Sequence, residues 1–146
     1  MAEKIKKEDQ ERFQGLMYRV QMLQKELQEL NKQLGLVEYK RGEISETIKA
    51  VKDLPEAKES ECMVPIGSGV FLKARLLDKT RSVIATGAGI FSEKSNKDTI
   101  VFLEGQIAKM DEDEQVLKNQ AMQVQQELES YSAEANQMMA KTKAGR

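Results

Sequence analysis

The residue types that usually carry out catalysis are scarce in this sequence. It contains no histidine, and Cys62 is its only cysteine. A cysteine nucleophile needs an activating base, most often a histidine, and a single cysteine can form neither an internal disulfide nor a cysteine-based zinc site. Paired carboxylates such as Asp111 and Asp113 lie in a polar stretch that offers no pocket. We therefore expect no catalytic residue, no cofactor and no metal site, and Cys62 is best explained as a small strand residue.

Two glycine-centred patterns, Gly67-Ser68-Gly69 and Gly87-Ala88-Gly89, are the remaining candidates for a ligand site. A phosphate-binding glycine turn leads from a strand into a helix, whose first N–H groups contact the anion. Here apolar and β-branched residues stand on both sides of each pattern, which is typical of a strand, a tight turn and a second strand. Glycine reaches positive φ without a steric clash, as short hairpin turns require. The sequence thus predicts two tandem β-hairpins within residues 62–94.

Four short strands leave unpaired edges and little buried area, so these hairpins should not be stable alone. We expect them to pair with strands of other subunits. The residues predicted to form this oligomerisation surface are Val64, Ile66, Gly67, Gly69, Val70, Phe71, Leu72, Val83, Ile84, Gly87, Gly89 and Ile90.

On both sides of the hairpins, apolar residues recur at alternating intervals of three and four. Such a repeat predicts helices that pack along one apolar seam. The first seam comprises Phe13, Leu16, Val20, Leu23, Leu27, Leu30, Leu34, Val37, Arg41, Ile44, Ile48 and Val51, and the second Ile100, Leu103, Ile107, Met110, Glu114, Leu117, Ala121, Val124, Leu128, Tyr131, Ala135 and Met138. We predict an α+β fold, in which a long antiparallel two-helix coiled coil (residues 1–54 and 95–146) is joined by the hairpins (62–94).

Each seam contains one charged residue, and the two charges are opposite. With Val51 opposite Ile100, the layers of Arg41 and Glu114 are adjacent. We expect the two to meet and fix the register, as single polar seam residues do in coiled coils. The alternative is that each side chain reaches water separately.

The composition excludes several classes of protein. Lys and Arg number 23 against 24 Asp and Glu among 146 residues, with no long block of one sign, which argues against a nucleic-acid or anionic-membrane partner. No apolar run is long enough to span a bilayer, and the charged start of the chain is unlike a signal peptide. We expect a cytoplasmic protein.

The ends of the predicted coiled coil carry apolar residues beyond what the seam needs. Met17, Tyr18, Met22, Met122 and Met139 lie off the seam, and methionine suits surfaces that accept many shapes. If the last turns splay, seam residues there become accessible too. The predicted binding surface at these tips comprises Phe13, Leu16, Met17, Val20, Met22, Leu128, Tyr131, Met138 and Met139. The alternative is that these residues close the seam or are exposed singly.

The order of elements and the hairpin motifs resemble the α class of the prefoldin family, in its archaeal form. The resemblance rests on Met63-Val64-Pro65-Ile66-Gly67-Ser68-Gly69-Val70-Phe71-Leu72-Lys73-Ala74 and on Val83-Ile84-Ala85-Thr86-Gly87-Ala88-Gly89. It implies an α2β4 heterohexamer with β subunits, in which the hairpins build a β-barrel platform that carries coiled-coil arms. It also implies an ATP-independent holdase, which binds non-native proteins at the arm tips and delivers them to a group II chaperonin. A structural coiled-coil scaffold, filament or tether is the alternative.

Overall fold

The computed structural model describes the backbone of residues 2–58 and 60–144, with side chains for 6–58 and 60–142. Residues 1, 145 and 146, the outer ends of the first and last predicted segments, lie outside this range. The elements are α1 (Ala2–Asp53), a 3₁₀ turn (Leu54–Glu56), β1 (Glu61–Gly67), β2 (Val70–Arg75), β3 (Arg81–Gly87), β4 (Ile90–Ser95) and α2 (Asn96–Ala144). The predicted fold class, two long helices with two hairpins between them, is confirmed.

The chain divides into two compact units. One, here called the helical unit, contains the described residues up to Glu38 and from Glu112, and the other, the hairpin unit, is Tyr39–Asp111. The sequence-based division at 1–54, 62–94 and 95–146 follows the elements instead and stays a prediction about domains.

The helix ends that meet the β region follow local sequence signals. α1 ends at Asp53, two residues before Pro55, because proline disfavours helical geometry in the residue that precedes it. At the start of α2, the Asp98 N–H donates to the Ser95 hydroxyl at 3.1 Å, which is an N-cap hydrogen bond. The Thr99 hydroxyl adds a bond to the Ser95 carbonyl at 2.9 Å.

The predicted seams coincide with the buried stripes of both helices. Among residues 6–53 of α1, all eleven apolar seam positions are buried or half-buried, and every other residue, Arg41 included, is exposed. All twelve seam positions of α2 are buried or half-buried. In the helical unit the core consists of Leu23, Leu30 and Val124, with Leu27, Leu117, Ala121, Leu128 and Tyr131 packed around them. Ion pairs Arg12–Glu134 and Arg19–Glu127 join the helices in antiparallel order.

Each hairpin is a separate two-stranded antiparallel sheet with the same turn. Strand partners run from Glu61–Arg75 to Gly67–Val70 in the first hairpin and from Arg81–Ser95 to Gly87–Ile90 in the second. The two turn residues both have positive φ: 51° and 77° at Ser68 and Gly69, and 51° and 73° at Ala88 and Gly89. This is the type I′ geometry that matches strand twist, so the predicted hairpins are confirmed.

Hydrogen bonds fix the loop between the hairpins and the start of α2. Asp78 Oδ1 accepts bonds from the Thr80 N–H at 2.8 Å and from its hydroxyl at 2.6 Å. The Asn96 side chain donates to the Lys79 carbonyl at 2.6 Å and accepts from the Ser82 hydroxyl at 3.1 Å. The second hairpin and the first turn of α2 are therefore held in a defined geometry.

Candidate functional site

The hairpins present an apolar surface that no described part of the chain covers. The exposed fraction is 60% for Ile66, 54% for Phe71 and 62% for Ile90. Leu72, which follows Phe71 and lies on the opposite face of the first hairpin, is also 54% exposed, so both faces of that hairpin are open. A two-stranded sheet without a second layer leaves both of its faces open. A contiguous exposed apolar surface of this kind marks an interaction site.

The predicted oligomerisation residues are all on this surface, and all are exposed except Ile84, which is half-buried. Met63 and Phe91, which are 69% and 67% exposed, belong to the same surface. Our prediction had not included these two. The signal was present, because both residues flank the glycine turns within the apolar runs. Cys62 is a half-buried β1 residue whose strand partner is Ala74.

The described residues contain no cluster of three or more His, Cys, Asp or Glu side chains that could hold a metal ion. No described helix is long and apolar enough to cross a membrane.

In the helical unit, the predicted tip residues fall into two groups. Six are seam residues that the opposite helix covers wholly or partly: Phe13, Leu16, Val20, Leu128, Tyr131 and Met138. Three are on the surface: Met17, Met22 and Met139 are 40%, 48% and 46% exposed. Tyr18 and Met122, also off the seam, are more exposed still at 66% and 59%. In the structure, therefore, only the second group is directly accessible.

An open groove runs beside the seam of the helical unit. Its walls are formed by Gly15, Tyr18, Arg19 and Met22 on α1 and by Gln120, Gln123 and Glu127 on α2. A Cβ atom added to Gly15 would meet nothing within 4 Å, so the groove is open at that point. Its lining mixes apolar and charged groups.

Two ion pairs cross the seam one heptad apart. Arg12 pairs with Glu134, and Arg19 Nη2 lies 3.9 Å from Glu127 Oε2. The Arg19 guanidinium also stands over the ring of Tyr131, 5.9 Å from its centroid. All four charged side chains are more than a third exposed, so each pair contributes about 0 to 1 kcal/mol to stability. These pairs do not follow from the sequence, because partners across an antiparallel seam depend on register.

The two charged seam residues differ in their surroundings. In the hairpin unit, Arg41 Nε lies 2.8 Å from Asp111 Oδ1, and both side chains are nearly half exposed. In the helical unit, Glu114 is only 13% exposed and pairs with Lys118 one turn later in α2. That Arg41 and Glu114 meet and set the register stays a prediction. Asp111, which we had treated as a solvated residue, is the observed partner of Arg41.

Comparison with known proteins identifies a family. The family model described as "Prefoldin subunit" matches residues 23–141. "Prefoldin subunit alpha 1" of Thermococcus kodakarensis is 37% identical over 103 residues, which are 68% of this chain and 69% of that protein. "Prefoldin subunit alpha" of Nitrosopumilus maritimus is 28% identical over 130 residues, which are 89% of this chain and 90% of that protein.

A solved structure shares the fold. The cryo-EM structure of filamentous PFD from Methanocaldococcus jannaschii matches with a TM-score of 0.70 and covers 80% of this chain and 98% of that chain. The sequence identity is 19%, so this likeness bears on the fold alone.

Proposed function

The chain belongs to the prefoldin family as an alpha-type subunit, and on that premise we propose that it is part of an ATP-independent holdase. Prefoldin is a chaperone family whose subunits assemble with one another, so the chain is a chaperone-type subunit. In our proposal, the tips of the coiled coil bind non-native proteins in the cytoplasm and deliver them to a group II chaperonin. The partners would be β-type prefoldin subunits, in an α2β4 heterohexamer.

The exposed side chains of the helical unit are the observation that carries the client-binding proposal. Met17, Met22 and Met139 are each 40% to 48% exposed, although the seam between them is covered. Methionine is flexible and polarisable, and it therefore fits apolar segments of many shapes. Several such weak contacts around one assembly raise avidity while each single contact remains reversible. No ATP-driven step is needed for release.

The exposed hairpin surface supports the assembly part of the proposal. Strand edges and apolar strand faces that the chain itself leaves open need strands from other chains to cover them. Because the relatives are named as α subunits of prefoldin, we assign these covering strands to other prefoldin subunits.

The test is aggregation of a chemically denatured client, followed by turbidity without ATP, with the chain co-assembled with a β-type subunit. The variant Met17→Gln, Met22→Gln, Met139→Gln should suppress aggregation less well than the parent. A matched control, Leu36→Gln, Val101→Gln, Val116→Gln, removes apolar residues of 56% to 60% exposure elsewhere on the helices and should behave as the parent. If both triple variants lost the same share of aggregation suppression, the methionines would have no special role in client binding.

A truncation to residues 24–120 separates the holdase from the scaffold alternative. If the full-length complex suppresses aggregation and the truncated one assembles but does not, the activity belongs to the removed ends. If the assembled full-length complex has no effect on aggregation, the holdase proposal fails and a coiled-coil scaffold or filament subunit becomes the better description. Electron microscopy of the same sample would then show whether the assembly is closed or filamentous.

A further inference from the structure

The two hairpins do not pair with each other, although they follow one another closely in the chain. Only the connector, residues 76–80, separates β2 from β3, yet the two strands belong to separate two-stranded sheets. Strands that are consecutive in a chain commonly pair, and loops of up to five residues are common in β-hairpins. The length of the connector therefore does not explain why β2 and β3 stay apart.

The backbone groups at the facing edges of β2 and β3 are also complementary. The Leu76 N–H donates to the Ser60 carbonyl at 2.8 Å, and the Asn96 N–H donates to the Thr80 carbonyl at 3.0 Å. Because the direction of hydrogen bonding alternates along an antiparallel strand, every second residue from these points has backbone groups that face away from its own hairpin. These outward residues include Lys73 and Arg75 on β2 and Arg81 and Val83 on β3.

Pairing of these two edges would bring like charges together. The hydrogen-bonded pairs of such a sheet would be Arg75 with Arg81 and Lys73 with Val83. The two arginines would then lie directly opposite each other on one face, with Lys73 diagonal to Arg81. Like charges at directly opposite positions destabilise a pair of strands. The charges thus oppose a pairing that the backbone would allow.

In the structure each arginine instead pairs with an acidic residue of its own hairpin. Arg75 Nη2 lies 3.4 Å from Glu61 Oε1, and Arg81 Nε lies 3.3 Å from Glu93 Oε1. Glu61 is on β1 and Glu93 is on β4, so each ion pair draws its arginine away from the other hairpin. All four side chains are more than half exposed, and exposed ion pairs contribute little to stability. Their position therefore suits a role in the choice of strand partners better than a role in holding each hairpin together.

The charges are reversed between two hairpins that otherwise correspond. Residues twenty apart occupy equivalent strand positions, as Phe71 and Phe91 do, and both hairpins have the same register and the same turn. At two such positions the charge changes sign, from Glu61 to Arg81 and from Lys73 to Glu93. If the second hairpin had the charges of the first, β3 would begin with an acidic residue opposite Arg75. The reversal is therefore what creates the repulsion across the connector.

We propose that Arg75 and Arg81 form a charge barrier, which keeps β2 and β3 from pairing with each other and leaves their edges free for strands of other subunits. This inference rests on the proposed assembly. A four-stranded sheet within one chain would satisfy the two facing edges and so compete with strands of other subunits. Charged side chains prevent unwanted edge pairing in many sheets. Here they decide between a partner strand in the same chain and one in another chain.

Inverting the charges tests the barrier while keeping an ion pair in each hairpin. One variant carries Glu61→Arg with Arg75→Glu, and the other carries Arg81→Glu with Glu93→Arg. Each of these single inversions places opposite charges at positions 75 and 81. The fourfold variant, which combines both inversions, places like charges there again and is the matched control.

A disulfide measures pairing of β2 with β3 directly in the full chain. All four proteins carry Cys62→Ser, Ala74→Cys and Ser82→Cys. In a β2–β3 sheet, positions 74 and 82 would form a non-hydrogen-bonded pair with Cα atoms about 4.5 Å apart, which a disulfide can bridge. In a glutathione buffer, the intrachain disulfide should be roughly fivefold more populated in each single inversion than in the parent, and it should return towards the parent value in the fourfold variant. Equal disulfide formation in all four proteins would overturn the barrier.

Assembly of the same charge variants, without the added cysteines, tests the consequence. If half of the chains pair internally, the concentration of β-type subunit needed for half-maximal assembly rises about twofold, because only the open chains are competent. We expect such a rise for each single inversion and recovery in the fourfold variant, by size-exclusion chromatography with light scattering. Poorer assembly of the fourfold variant than of either single inversion would mean that these charges contact partner strands, and it would overturn the barrier. If the parent itself does not assemble, the proposed function fails, while the disulfide populations still decide the barrier.

Discussion

The helical unit and the two hairpins both contain rows of apolar side chains, but among the described residues only the helical unit covers its own. Leu23, Leu30 and Val124 are 4% to 8% exposed because the opposite helix of the same chain packs against them. Phe71 and Phe91, by contrast, are 54% and 67% exposed. Helices also satisfy their backbone hydrogen bonds internally, whereas each two-stranded sheet has two open edges. The helical unit therefore covers its apolar side chains with its own helices, whereas the hairpins leave theirs open for the other subunits that we propose.

The largest effect that this comparison predicts is loss of assembly. Phe71→Asp with Phe91→Asp places a charge in each hairpin where partner strands would bury it, at high cost. We expect no complex with β-type subunits by size-exclusion chromatography with light scattering, and unchanged helix content by circular dichroism. Leu36→Asp, at 58% exposure on α1, is the control and should assemble normally. Assembly of the double variant would show that the hairpins are not the interface.

Substitutions in the seam should lower the stability of the chain and leave its assembly unchanged. Leu23→Ala removes a side chain that is 4% exposed, and it should lower the free energy of unfolding by about 2 to 5 kcal/mol. Met22→Ala, at the neighbouring exposed position, should change it by about 0.5 kcal/mol or less. Urea unfolding followed by circular dichroism measures both. Similar losses from the two changes would mean that the seam is not the core of the helical unit.

Replacing glycine by alanine should have opposite effects on stability in the two units. Gly69 has φ of +77°, where alanine costs about 1 to 2 kcal/mol, so Gly69→Ala should destabilise the first hairpin. Gly15 lies inside α1 with open space at its Cβ, so Gly15→Ala should stabilise the chain by roughly 0.5 to 1 kcal/mol. Thermal unfolding of the assembled protein measures the change in Tm for each variant, and changes of the same sign would contradict the comparison.

The smallest predicted effect is a change in the pKa of a carboxyl group in the loop between the hairpins. Hydrogen bonds from the hydroxyl and N–H of Thr80 lower the pKa of the Asp78 carboxyl below 3.8. A lowered folded-state pKa means that this group stabilises the fold above about pH 3.8 and that the contribution is lost as the pH falls through the folded value. In Thr80→Val the hydroxyl donor is gone, so the pKa of Asp78, followed by NMR, should move back up towards 3.8. An unchanged pKa of Asp78 in Thr80→Val would mean that groups other than the Thr80 hydroxyl lower it.

Most of the fold followed from local sequence signals. The three-four repeat identified the buried stripe of both helices, with Arg41 as the exception, because residues three and four apart share one face of a helix. Pro55 located the end of α1, and the Gly-x-Gly patterns located both hairpin turns, because few residue types tolerate positive φ. These signals need no knowledge of what packs against them.

What only the tertiary structure decided is which residues face which. The partners of Arg12, Arg19 and Arg41 depend on how two helices distant in sequence are aligned, and a heptad repeat fits several alignments equally well. The same alignment shows that six of the nine predicted tip residues are covered wholly or partly while three methionines are exposed. The sequence by itself thus determined the elements and their apolar faces, since these arise from local geometry. The tertiary structure determined the cross-helix pairs and the accessible surface, since these arise from contacts between distant segments.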